Sequence, residues 1–154
     1  MTIYRREAET AEDIARLLRS RGRIVITAPP RSGKTTELIR YAEERYPNGR
    51  FAVVAKPEDH ANIVKIHWLL FNGFTFVDVV AKRLLGQELE GEEVNEPTLL
   101  TPEQATFRTF NPSTPTFVDS WNTLSRNQQQ AIIKRRLFIA ATMSKEGEQN
   151  AEES

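Results

Sequence analysis

The chain has no cysteine in its 154 residues. That excludes a disulfide framework and a thiolate zinc site. An excess of one charge sign is also missing, because 21 Lys and Arg balance 21 Asp and Glu. No global field therefore marks the chain as a binder of polyanions or membrane surfaces. No apolar run approaches the length of a bilayer crossing, and the amino-terminal stretch lacks the apolar core of a signal peptide. We therefore expect a cytoplasmic protein with no membrane partner. Histidine is scarce too: only His60 and His67 are present. They stand seven positions apart on one helical face, too far for a metal pair one turn apart, and both read as surface or half-buried helix residues. No internal repeat is visible, and the length suits one domain with a real core.

What is present centres on one stretch, Ala28-Pro29-Pro30-Arg31-Ser32-Gly33-Lys34-Thr35-Thr36. The run before it, Arg23-Ile24-Val25-Ile26-Thr27, is short, apolar and β-branched, as a buried strand should be. The run after it, from Glu37 to Ala42, has helical spacing. A turn that leads from a strand into a helix offers backbone N–H groups to an anion. Gly33 can take a positive φ there without a Cβ clash, and Pro29 and Pro30 stiffen the entry by fixing φ.

The stretch from Ala28 to Thr35 resembles the Walker A motif of P-loop NTPases, with Ala28 where the first glycine is usual. The resemblance implies a nucleotide site formed by Ala28, Pro29, Pro30, Arg31, Ser32, Gly33, Lys34, Thr35 and Thr36. Lys34 would meet the β- and γ-phosphates, and the Thr35 hydroxyl would hold Mg²⁺. The guanine-reading Asn-Lys-x-Asp signature is absent, which favours ATP over GTP.

A second landmark is Pro115-Thr116-Phe117-Val118-Asp119, an apolar run ending on an acid. It resembles the Walker B motif, whose Asp stands on the metal side of the bound nucleotide. Ser125 and Gln128 form a capping box that opens a helix through Ile133, and Leu137 to Thr142 reads as a further buried strand. That order is similar to the RecA-like and AAA+ division, and it implies that Thr142 senses the γ-phosphate or the attacking water. Hydrolytic members usually carry Glu directly after the Walker B Asp. Here the residue is Ser120, which cannot serve alone as a general base. If Thr116 to Asp119 lay beside the loop strand, residue 120 would emerge facing the γ-phosphate.

The remaining segments are read from local pattern. Thr10 caps a helix carrying Ile14, Leu17 and Leu18, and Gly22 stops it. Arg16, Arg19, Arg21 and Arg23 read as a solvated face. Pro47-Asn48-Gly49 is a turn, and Phe51 to Ala55 is a buried strand. Glu58 to Phe71 suits a helix ending near Gly73. Phe74 to Val80 is ambiguous between a strand ending on Asp78 and a helix capped by Thr75. We prefer the helix, which makes Asp78 a capping acid and Asp119 the metal-side acid. The segment from Gln87 to Glu96 is acidic and reads as a mobile loop. Thr101-Pro102-Glu103-Gln104 is a helix start. Trp68 and Trp121 read as core, and Arg126, Arg135 and Arg136 as surface charges.

The expected fold class is α/β: a three-layer α/β/α P-loop NTPase core with a parallel sheet and a mostly helical insertion. The domain would span residues 1–143, with the insertion at about 57–114 and a disordered polar tail at 144–154. The usual fifth strand is not visible, so the core reads as minimal. The resemblance implies a MgATP-binding protein that is a weak or partner-activated ATPase acting on nucleic acid or protein assembly, with Lys34, Asp119 and Thr142 as the catalytic set. A second copy, a partner protein and nucleic acid are the partners it leaves open. Two alternatives stand beside it. One is a nucleotide or small-molecule kinase, although residues 57–115 hold only Arg83 and Arg108 where a lid usually carries several arginines. The other is a non-hydrolysing assembly protein that keeps the nucleotide site for structure.

Overall fold

A computed structural model describes residues 3–20, 22–72, 76–87, 96–106, 113–135 and 137–144. Arg21, Gly73, Thr75, Arg108, Arg136, most of the acidic segment after Gln87 and the tail beyond residue 144 lie outside the described residues. The expectations placed on them lie there too.

The chain runs β1 (Tyr4–Glu7), α1 (Ala11–Ser20), β2 (Ile24–Ala28), α2 (Lys34–Arg45), β3 (Ala52–Val54), α3 (His60–Phe71), α4 (Phe76–Leu84), β4 (Thr98–Leu100), β5 (Thr116–Asp119), α5 (Arg126–Ile133) and β6 (Phe138–Ser144). Short 3₁₀ turns lie at Pro57–Asp59, Gln104–Thr106 and Trp121–Thr123. The strands form one six-stranded sheet in the order β1-β2-β6-β5-β3-β4, and every pair is parallel. The fold is therefore α/β with a parallel sheet. The four expected strands are present. β1 and β4 are additions to that reading, so the sheet is larger than the minimal core expected.

A parallel sheet must bury both faces, and the strand residues alternate between two clusters. Ile24, Ile26, Val53 and Phe117 pack with Ile14, Leu18, Leu38, Ile39 and Ile63 of α1, α2 and α3. Val25, Val54, Val118, Phe138 and Ala141 pack with Trp121, Leu124, Ile132 and Ala105. Connections that run toward β4 thus cover one face, and connections that return cover the other, as a single crossover handedness requires. Trp68 and Trp121 are core, as expected.

Local signals explain the boundaries. Thr10 Oγ1 accepts from Asp13 N–H at 3.1 Å and starts α1. The Ser125–Gln128 capping box starts α5 with both reciprocal bonds present. Asn48 and Gly49 take positive φ in the turn before β3. Residues 76–84 are helical with Asp78 in the first turn, which rejects the strand reading there. Within the described residues the start at Thr101 leads into the Gln104–Thr106 turn, and Thr101 and Gln104 cap each other.

Expectations on three charged groups change, and the first is Arg135, which is half-buried rather than a surface charge. Arg23 is no surface residue: its guanidinium donates to Ile133 O and to Arg135 O, closing the carboxyl end of α5. His67 is fully buried. Its Nε2 lies 2.7 Å from Glu43 Oε1, which also accepts from Gly49 N–H.

Candidate functional site

In an all-parallel sheet, groups at the carboxyl ends of the strands converge on one edge. Ligands of open α/β sheets bind where neighbouring strands send their helices to opposite faces. Here α2 leaves β2 toward one face and α5 leaves β5 toward the other, with β6 between those strands. The candidate residues collect at this crevice.

The loop turns sharply after β2. Arg31 takes φ 62° and Gly33 takes φ 87°, and Gly33 is the residue that opens α2. A Cβ at Gly33 would find only Ala11 Cβ at 3.5 Å, so conformation rather than space calls for glycine there. Gly33 offers no side chain to cap α2, and among the described residues no other side chain does so, which leaves its first-turn N–H groups to an anion. Ser32 Oγ donates to Pro29 O at 2.7 Å, and Lys34 Nζ donates to the same carbonyl at 2.9 Å. Pro30 and Thr36 are half-buried in the same turn, and Ala28 is buried.

Asp119 ends β5 and is only 6% exposed. Thr35 Oγ1, 84 residues earlier, donates to its Oδ1 at 3.1 Å. Thr142 Oγ1 of β6, itself buried, donates to the same oxygen at 3.5 Å. Among the described residues no hydrogen bond reaches Oδ2. Burial pushes the Asp119 carboxyl above its ordinary range, and the nearby Asp59 carboxylate pushes the same way. The Thr35 and Thr142 hydroxyls and the Lys34 ammonium oppose that rise. Lys34, Thr35, Asp119 and Thr142 therefore share one electrostatic environment.

Asp78 lies apart, exposed on α4. Asp59, which the sequence reading passed over, does belong here. It ends the 3₁₀ turn after β3, and β3 pairs directly with β5. Only that pairing could have found it, because no local pattern distinguishes it from its neighbour Glu58.

The step after Asp119 also differs from expectation. β5 is not beside β2: β6 lies between them and pairs with both. Ser120 does not continue the strand, and takes φ 63° and ψ 60°. Its carbonyl accepts from Thr123 N–H at 2.9 Å and from Thr123 Oγ1 at 2.7 Å. This tight turn drops Trp121 into the core, stacked on Phe138.

The donor set suits a hard divalent cation. Thr35 and Asp119 offer oxygens only, and magnesium takes few protein ligands when phosphates supply others. Among the described residues no group of three or more His, Cys, Asp or Glu could hold a metal by itself. Among them, too, no helix is long and apolar enough to cross a membrane. No family model, curated protein or solved structure matches the chain.

Proposed function

We propose that this chain is a MgATP-binding P-loop NTPase whose hydrolysis is weak or depends on a partner, and that it acts on nucleic acid or on protein assembly. One observation carries the reading. Thr35 at the head of α2 and Asp119 at the end of β5 meet at 3.1 Å, directly after a left-handed Gly33 and an uncapped helix terminus.

The residues fit the group they would hold. N–H groups of residues 33–36 would bind phosphate oxygens, and Lys34 would exchange its bond to Pro29 O for a phosphate. Thr35 and Asp119 would hold Mg²⁺, and Thr142 would keep Asp119 oriented through its shared oxygen. Bound Mg²⁺ supplies charge neutralisation on the phosphates. A non-hydrolysing assembly protein is the second reading, and the absence of a carboxylate at Ser120 favours it.

Calorimetric titration of MgATP tests the site. The wild type should bind, and Lys34→Ala should weaken binding at least about tenfold, since charge-assisted phosphate contacts contribute about 1.5–3 kcal/mol. Asp119→Asn should lose the dependence on Mg²⁺, whereas Asp78→Asn should behave as wild type. Equal affinity in wild type and Lys34→Ala would refute the phosphate-loop reading.

A further inference from the structure

The proposed site has a metal-side acid but no carboxylate after it in sequence. An acid of this chain that acts on the attacking water has to come from another part of the sheet edge. The strand beside β5 on its far side is β3, in register with Val54 opposite Val118. One step further sets Ala55 level with Asp119. The chain then turns through Pro57–Asp59 and returns an acid to the same edge.

Three features single out Asp59. Its side chain is half-buried, yet among the described residues no hydrogen bond or ion pair engages its carboxylate. The neighbouring Glu58 is instead exposed and faces Lys56 at 3.8 Å. Asp59 also lies close enough to Asp119 to act on it electrostatically, as Lys34 does. Finally, the turn is fixed. Asp59 N–H donates to Lys56 O at 2.9 Å. The next residue, His60, sets Nε2 at 2.9 Å from Ala55 O and 3.2 Å from Leu100 O. Both partners are carbonyls, so Nε2 carries the proton and donates. His60 thereby ties the start of α3 to the ends of β3 and β4 and holds Asp59 in place.

Resting on the P-loop reading above, we infer that Asp59 is the carboxylate that orients the attacking water and accepts its proton, in place of the acid missing at Ser120. The water oxygen bonds to the γ-phosphorus while the bond from that phosphorus to the β,γ-bridging oxygen breaks. The water's proton passes to the Asp59 carboxylate and then to solvent, leaving ADP and inorganic phosphate. His60 is a positioning residue for this step.

The test compares Asp59→Asn with wild type and with Glu58→Gln in three measurements: MgATP affinity by calorimetry, single-turnover hydrolysis, and melting temperature without nucleotide. Asp59→Asn should bind MgATP within about twofold of wild type and hydrolyse it about a hundredfold more slowly or worse, the range expected for a lost general base. Without nucleotide it should melt higher than wild type, because one of two mutually repelling acids is gone. Glu58→Gln should match wild type throughout. Unchanged turnover in Asp59→Asn overturns the inference. So does a loss of MgATP binding, which would make Asp59 a metal-side acid. A wild type that binds MgATP without turning it over overturns the inference and leaves the P-loop reading standing. A wild type that does not bind MgATP overturns both.

Discussion

At Asp119 two demands meet in one side chain. The carboxylate is buried at the end of a central strand, and among the described residues only hydroxyl groups donate to it directly. Burial and the Asp59 charge raise its pKa above the ordinary range. The folded chain therefore binds this proton more tightly than the unfolded chain does. The stability this group contributes is intact below the unfolded value, and it falls as pH rises through the folded one. At pH 7 the ionised Asp119 weighs against folding. Asp119→Asn should thus melt higher than wild type at pH 7 without nucleotide, at about 2–4 °C per kcal/mol of relief for a chain this size. The gain should disappear on acidification below the ordinary carboxylate range, where the wild-type group is protonated in both states. Melting curves at several pH values check this, and a less stable Asn variant at pH 7 would contradict it. The residues of this site were unevenly legible. Gly33, Lys34 and Thr35 sit in a local pattern, and Asp119 ends an apolar run, so sequence finds them. Asp59 has no such pattern, because its place depends on β3 lying beside β5.

Among the elements, the legible strands were those buried on both faces. Ile24 to Ala28, Ala52 to Val54, Thr116 to Asp119 and Phe138 to Ser144 are nearly continuous apolar runs, the mark of central parallel strands. β1 was hidden because it is an edge strand: Arg5, Arg6 and Glu7 point to solvent. β4 is the opposite edge strand, exposed to half-buried along its three residues, so it lacks the continuous apolar run that marks β3. Arg23 shows the same limit in a charged residue. It looked like one more member of an arginine-rich surface, yet it spans more than a hundred positions to close α5. Arg23→Met keeps much of the stem and removes the donors. Arg135 O keeps its bond from Phe138 N–H, so among the described residues Ile133 O is the acceptor that loses its partner. A buried acceptor left so costs about 1–3 kcal/mol, and for this half-buried one the variant should lower stability by about 1 kcal/mol. The solvated reading expects a change within about 0.5 kcal/mol. Urea unfolding of the two proteins decides between them, and MgATP affinity should stay at the wild-type value.

At the scale of the molecule, the proposed site exists only when the sheet is assembled. The loop follows β2, Asp119 ends β5, Thr142 comes from β6, and Asp59 follows β3. In sequence these groups are scattered over more than a hundred residues, and the parallel order brings them to one edge. An unfolded chain has no such edge, so a ligand of this site binds the native state alone. Its stabilisation then follows from mass action. At free MgATP about one hundred times its dissociation constant, the native state gains about 2.7 kcal/mol. For a chain of this size that corresponds to a rise in melting temperature of about 5–11 °C. Chelating Mg²⁺ should remove much of the rise, because Thr35 and Asp119 would then have no cation to hold. Lys34→Ala should show almost none of it at the same concentration, while its melting temperature without nucleotide should stay close to wild type. The loop's carbonyl at Pro29 keeps its bond from Ser32 in that variant, so the loop itself should hold. A thermal-shift series over ATP concentration, with and without chelator, reads each of these terms. A rise of equal size in Lys34→Ala would mean that the nucleotide binds elsewhere on the molecule.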